Sequence, residues 1–233
     1  MRIKDSQAGR LKTALFLLFL VAVAVTYWWL QTPEQQSTHN TAPPTTPQDM
    51  VALEEFIPDI KIDLKYATTD NFTGEVIYDD HTAYLRRGTA EKLKAAQAEF
   101  KAKGYSLKIW DAYRPPSAQF KLWEKFPDAR FVINPHQGFS YHSRGVAVDV
   151  TLVDNKGKQL LMPTGFDDFT EKANRDFNDV SEEAAKNALF LEQIMKKHGF
   201  DSIFYEWWHF VDNDREKYPV YDIESDSSAI IPD

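Results

Sequence analysis

The chain of 233 residues contains no cysteine. Disulfides, thiolate metal sites and cysteine nucleophiles are excluded, so a metal site would have to draw on His, Asp or Glu. A basic surplus is missing too: 27 Lys and Arg stand against 35 Asp and Glu. Residues 1–49 hold four of the basic and three of the acidic residues, leaving 23 against 32, a net of −9, for the remainder. Nucleic-acid binding rests on basic surfaces, and this balance argues against it. There is no internal repeat and no regular βαβ alternation. The chain does have apolar material for a core, with 43% hydrophobic and 14% aromatic residues, which argues against global disorder.

One long apolar run is present. Leu11 to Leu30 is apolar apart from Lys12, Thr13 and Thr26, and Ala14 to Leu30 is just long enough to cross a bilayer. Arg2, Lys4, Arg10 and Lys12 precede it, and Tyr27, Trp28 and Trp29 lie at its far end. Basic residues before the run and aromatics after it predict a transmembrane helix within 1–30, with its N-terminus in the cytoplasm. Membrane contact would be made through this helix. The rest of the chain would then face the periplasm or cell exterior, anchored in a bacterial inner membrane. The alternative is a secreted protein, since Ala22-Val23-Ala24 fits a signal-peptide cleavage site. Residues 31–49, rich in Thr, Gln and Pro, predict a disordered tether. The folded domain is expected over 50–221, and the acidic residues 222–233 are expected to be a loose tail.

Within the domain, Thr89 is a candidate N-cap for a helix carrying Leu93, Ala96 and Phe100 and stopped by Gly104. Leu107 to Trp110 reads as a strand, followed by a turn at Tyr113-Arg114-Pro115-Pro116. A short helix from Ser117 must end by Pro127. Val146 to Leu152 alternates, with Val146, Val148, Val150 and Leu152 on one face and Ala147, Asp149 and Thr151 on the other. Asp179 and Glu182 suggest a capping box for a helix running to His198 and closed by Gly199. Phe204 to Val211 is strand-like. These elements predict an α+β fold: a central, largely antiparallel sheet flanked by helices.

The chemistry concentrates in two segments, Ser140 to Asp149 and Glu206-Trp207-Trp208-His209. His142 approaches the Val146–Leu152 strand, Gly145 permits a turn, and Asp149 projects opposite the valines beside small Ala147. With His209 from the distant segment, these residues form a three-ligand set suited to one zinc ion per chain. Glu206 is a candidate general base, which takes a proton from the attacking water and delivers it to the leaving amine. In one continuous strand residues 206 and 209 would point to opposite faces, so Glu206 is expected in a turn and His209 at a strand start. Arg114 is a candidate to stabilise an oxyanion, and Asp111 to orient it or a ligand. Taken singly, these residues have ordinary readings: Glu-x-x-His is commonly a surface pair, and an arginine before two prolines commonly anchors a turn. His39 falls in the tether, His198 at a helix C-terminus, and His81 and His136 have no supporting pattern.

Several blocks together resemble the D-alanyl-D-alanine dipeptidase family of zinc peptidases. They are Asp63 to Gly74, Trp110-Asp111-Ala112-Tyr113-Arg114-Pro115, Ser140 to Gly145, Asp149 to Leu152 and Glu206-Trp207-Trp208-His209. The resemblance implies zinc on His142, Asp149 and His209, with Glu206 as base and Arg114 stabilising the transition state. It also implies that Asp167, in Phe166-Asp167-Asp168-Phe169, recognises the free amino group of a small peptide; Asp168 is the other choice. Ser140 is a further candidate for substrate contact. The expected activity is hydrolysis of D-Ala-D-Ala or related small peptides in cell-wall turnover. The alternatives are a carboxypeptidase trimming D-Ala from longer muropeptides, which requires Asp167 remote from the metal, and a non-catalytic wall-peptide-binding module.

Overall fold

The strand expected at Val146 to Leu152 occupies the middle of a five-stranded sheet. The computed structural model describes residues 46–222. In chain order the elements are β1 (Met50–Ala52), α1 (Leu53–Phe56), β2 (Lys61–Ile62), β3 (Tyr84–Arg86), α2 (Arg87–Ala102), β4 (Tyr105–Asp111), α3 (Pro116–Lys125), β5 (Ala147–Asp154), α4 (Glu182–Lys197), β6 (Phe200–Ser202) and β7 (His209–Asp212). The main sheet runs β2-β4-β5-β7-β6, and β1 pairs separately with β3. Only the β2/β4 pairing is parallel; the other described pairings are antiparallel. The fold is α+β with mixed pairing in its main sheet.

The expected transmembrane segment lies outside the described residues, as does the tail beyond Asp222. Among the described residues, no helix is long and apolar enough to cross a membrane.

One core joins sheet and helices. Val148, Val150 and Leu152 of β5 and Leu107 and Ile109 of β4 are fully buried, together with Leu93, Ala96 and Phe100 of α2 and Leu191 of α4. The apolar faces read from the sequence meet here, and removal of their area from water is the main favourable term in folding. Trp207 and Trp208 are also buried. Trp207 packs edge-on against Trp110, with ring centroids 5.6 Å apart.

Three local expectations are corrected. Thr89 is not an N-cap. Helix α2 begins at Arg87, and Thr89 Oγ1 donates to buried Asp212 Oδ2 at 2.7 Å. The first amides of α2 are met by main chain: Arg87 N donates to Asp49 O at 2.7 Å and Gly88 N to Pro47 O at 3.1 Å. Residues 46–49, assigned to the tether by composition, thus form a turn that caps this helix. The second correction concerns α4. Its N-cap is Ser181, whose hydroxyl accepts from Ala184 N at 3.2 Å, so the Asp179–Glu182 box is not formed. The third concerns Phe204 to Val211, which is strand only from His209; residues 204–208 bend away from the ladder.

Gly145 holds the route from His142 to β5. It ends a short 3-10 turn, Tyr141–Arg144, with φ +72. Its carbonyl accepts from Arg86 N at 2.8 Å. An added Cβ would lie 2.9 Å from Met50 Sδ and 3.3 Å from Arg86 backbone N. Gly145→Ala is therefore expected to destabilise the domain by roughly 1–3 kcal/mol, from backbone strain and close contact together. Urea unfolding beside Gly157→Ala checks this: Gly157 has φ +81 but open space around it. An equal effect at both positions would leave no role for the contact with Met50 and Arg86.

Candidate metal centre and active site

Antiparallel pairing puts Asp149 of β5 directly across from His209 of β7. On the other side of β5, Asp111 of β4 pairs with Asp149, after an irregularity between Ile109 and Asp111. Such a bulge re-aims side chains at a strand end. His142 enters from the 3-10 turn, whose N-cap Ser140 accepts from His142 N through its hydroxyl at 3.2 Å. These elements bring His142, Asp149 and His209 together with ligand atoms within 4.8 Å of one another, all three residues buried.

The donor atoms face inward. His142 Nδ1 lies 2.7 Å from Ala112 O, which places the proton on Nδ1 and leaves the Nε2 lone pair free. His142 Nε2 lies 3.2 Å from His209 Nδ1 and 3.4 Å from Asp149 Oδ2. His209 Nδ1 lies 2.8 Å from Asp149 Oδ1. Nitrogen and oxygen ligands about 2.0–2.1 Å from a tetrahedral ion stand about 3.3 Å apart. The separations and the donor chemistry both fit a single ion with three protein ligands. Burial opposes ionisation of Asp149, but the two histidines outweigh it and hold its carboxyl well below the ordinary range. Burial lowers the pKa of His209. It works in the same direction on His142, where the charges of Asp149 and Asp111 overcome it and raise the pKa.

Glu206 stands at the edge of this cluster, its Oε2 3.8 Å from His209 Nδ1. His209 N bonds back to Glu206 O at 3.4 Å. This bend lets residues 206 and 209 serve one site, as their spacing requires. Burial raises the Glu206 pKa well above the ordinary value, and the nearby charges of Asp149 and Asp167 add to the effect.

Arg114 is buried with its partners. Its Nε and Nη2 donate to Asp111 Oδ2 at 3.0 and 2.6 Å, and Nη1 donates to Gln119 Oε1 at 3.1 Å. Burial alone would weaken its charge, but Asp111, with Tyr66 and Asp149, outweighs that and raises its pKa. The guanidinium carbon also lies 4.9 Å from the ring centre of Tyr66. Tyr66 OH donates to Asp167 Oδ2 at 2.7 Å. Asp167 has φ +53, and burial followed by the charge of Asp149 raises its pKa well above the ordinary value. Asp167 is thus linked through Tyr66 to Arg114 and is felt electrostatically at the metal cluster. The neighbouring Asp168 instead serves its own turn, its Oδ1 accepting from Thr170 N at 3.1 Å.

Of the other sequence candidates, Ser140 has its hydroxyl engaged in capping the His142 turn. Asp111 holds Arg114, accepts from Tyr78 OH at 2.8 Å and lies 3.5 Å from His142 Nδ1. The remaining described histidines lie outside the cluster. His198 Nε2 pairs with Glu99 at 2.8 Å, and the His136 ring lies edge-on to Phe120. His39 lies outside the described residues.

Sequence reasoning assigned no role to Tyr66, Tyr78 or Arg175. Tyr66 lies inside the Asp63–Gly74 block, which could have drawn attention to it. Arg175 sits in a segment without periodicity, and nothing local marked it.

An inward-facing three-ligand cluster with a carboxylate beside it is the equipment of a metal-dependent peptidase, and the comparisons agree. Residues 46–226 match the family described as D-ala-D-ala dipeptidase, and the chain belongs to that family. It is 39% identical over 172 residues to the D-alanyl-D-alanine dipeptidase of Escherichia coli (strain K12), covering 74% of this chain and 89% of the relative. It is 33% identical over 187 residues to the protein of the same name in Enterococcus faecalis, covering 72% and 92% respectively. The Streptomyces coelicolor relative, also so named, is 34% identical over 183 residues, covering 70% and 90%.

Asp111→Ala would leave the Arg114 guanidinium buried without its carboxylate. Breaking a buried pair on one side costs roughly 3–5 kcal/mol, so a loss of that size in urea unfolding is expected. Asp111→Asn, which keeps an acceptor, should lose less. A loss below about 1 kcal/mol for the alanine variant, the size of an exposed pair's contribution, would contradict the buried ion pair.

Proposed function

We propose that this chain hydrolyses D-alanyl-D-alanine to free D-alanine, using one zinc ion held by His142, Asp149 and His209. Neutral imidazole nitrogen with carboxylate oxygen is a donor set that suits zinc. Zinc supplies Lewis acidity to the attacking water and the scissile carbonyl. Glu206 accepts the proton of that water and gives it to the departing amide nitrogen as the C–N bond breaks. Its raised pKa suits this double duty, because burial makes the carboxylate a stronger base for the proton it takes up and passes on. Arg114, kept charged and oriented by Asp111, donates to the carbonyl oxygen as negative charge develops there.

The observation that carries the dipeptide reading is the link from Asp167 through Tyr66 to Arg114. A carboxylate raised by burial and by its anionic neighbours gains from a substrate ammonium, and a blocked or longer peptide would bring a neutral amide instead. Asp167 also feels Asp149, which argues against the carboxypeptidase reading, where this residue would be remote from the metal. The presence of Glu206 argues against a binding module. The apolar run Leu11 to Leu30 supports an exported domain that meets peptides released from the cell wall, retained by an anchor or secreted after cleavage. Cell fractionation with protease accessibility tests that placement; a catalytic domain found only in the cytosol would overturn it.

Full-length protein should cleave D-Ala-D-Ala, lose activity with chelator and leave N-acetyl-D-Ala-D-Ala largely intact. Preferential cleavage of the acetylated peptide would move the assignment to the carboxypeptidase. Glu206→Gln should retain one zinc per chain and lose about 10²–10⁴ in kcat, the usual contribution of a general base. Near-normal turnover in that variant would remove Glu206 from the role. Asp167→Asn should raise KM for the dipeptide roughly 10–100-fold, the equivalent of a charged hydrogen bond of about 1.5–3 kcal/mol. An unchanged KM would exclude Asp167 as the amino-group anchor.

A further inference from the structure

The segment that carries Glu206 and His209 leaves the sheet ladder between Ile203 and Trp208, and one side chain gathers its carbonyls. Arg175 Nη2 donates to Glu206 O at 3.1 Å, Trp207 O at 3.0 Å and His209 O at 3.1 Å. Its Nε donates to Ile203 O at 2.6 Å. Its Nη1 faces Glu192 Oε2 of α4 at 3.5 Å, with the arginine side chain 6% exposed. Glu192 is held in turn by Lys196 Nζ at 2.6 Å and Ser202 Oγ at 2.7 Å. The guanidinium carbon lies 4.7 Å from the ring centre of Phe210. Main-chain bonds tie the same two segments: Arg175 N to Phe204 O at 3.0 Å and Trp207 N to Ala173 O at 3.1 Å.

Three carbonyl oxygens converging on one point repel one another and, when buried, need a donor. A rigid, permanently charged fork meets this need; a lysine ammonium can reach only part of such an array. The carbonyls belong to the residue on one side of the metal cluster, to its neighbour, and to a ligand itself. Their positions fix where the Glu206 carboxylate and the His209 ring point.

We infer that Arg175 is a positioning residue, which holds the 203–209 segment in the bend that aims Glu206 and His209 into one site. It touches no reacting atom. The inference rests on the functional reading above for the role of Glu206 but makes a separate claim about geometry. Misplacing a general base by about 1 Å can cost around 100-fold in rate. Substrate affinity should be spared, because Arg114, Asp167 and Tyr66 are held by other segments.

The test compares full-length Arg175→Met and Arg175→Lys with the unaltered protein. Arg175→Met should lower kcat for D-Ala-D-Ala by about 100-fold with KM within a few-fold, and Arg175→Lys should recover part of that loss. A second readout needs no turnover: zinc affinity by competition with a chelating dye should fall about 10-fold or more in Arg175→Met, as for the loss of a group that orients a ligand. Amide hydrogen exchange in 203–209 should quicken more than in α2. If Arg175→Met does not fold, Arg175→Lys carries the test, with a kcat loss at preserved KM as the supporting result. Unchanged kcat and zinc affinity in Arg175→Lys, or a loss expressed only in KM, would overturn the inference. Failure of the unaltered protein to cleave the dipeptide would instead count against the substrate assignment, leaving zinc affinity and exchange to decide the role of Arg175.

Discussion

Asp149 and His209 are opposite numbers in an antiparallel pair, and the site depends on that register. A slip by one residue turns every side chain of a strand to the other face. It would send Asp149 to the side of Val148 and Val150 and bury a carboxylate among aliphatic groups. The valine face opposes such a slip, because its burial in the core is lost with it. The packing that stabilises the sheet therefore also sets two of the three ligand positions. The third, His142, is referenced to the same sheet through Ala112 O, just beyond the end of β4, while Gly145 ties its turn to Arg86 of the separate β1/β3 pair.

Charge is the second constraint. Asp111, Asp149, Asp167 and Glu206 lie within one buried region, where Arg114 and the two site histidines supply positive charge. Carboxylates in low dielectric need positive partners or give up their charge. Asp111 takes the guanidinium and Asp149 takes the two imidazoles. Glu206 and Asp167 are left with raised pKa values, the two groups whose proposed work is to exchange a proton and to receive an ammonium. The same crowding that would be a liability in an inert core tunes these two acids for separate tasks.

Much of this was legible in the sequence, for reasons that can be stated residue by residue. Strict alternation in Val146 to Leu152 assigned Asp149 to the face opposite the valines. The three-residue spacing of Glu206 and His209 demanded a bend, and the bend is present. The order of the motif blocks pointed to the family. Contacts across the fold were not legible. Thr89 looked like a cap, yet its hydroxyl serves Asp212, 123 residues away. Asp179 fitted a local capping pattern, but Ser181 is the residue that caps. Residues 46–49 looked like tether by composition, and only the position of α2 reveals that their carbonyls cap it. Arg175 does its work through main-chain oxygens, which leave no trace in residue type or period.

The order of the strands has a consequence for how the protein is made. Strand β7 lies inside the sheet, between β5 and β6, yet comes near the end of the described chain. Behind it, Tyr221 N bonds to Ser143 O at 2.9 Å, and Tyr113 OH bonds to Tyr221 O at 2.9 Å. During synthesis, β5 must wait with one edge open while about sixty further residues are added. The nascent chain can display His142 and Asp149 early, but it lacks His209 and the strap beneath the His142 turn until its last segment emerges. A complete three-ligand cluster therefore exists only in a finished domain, and incomplete chains are spared from capturing metal in the native site.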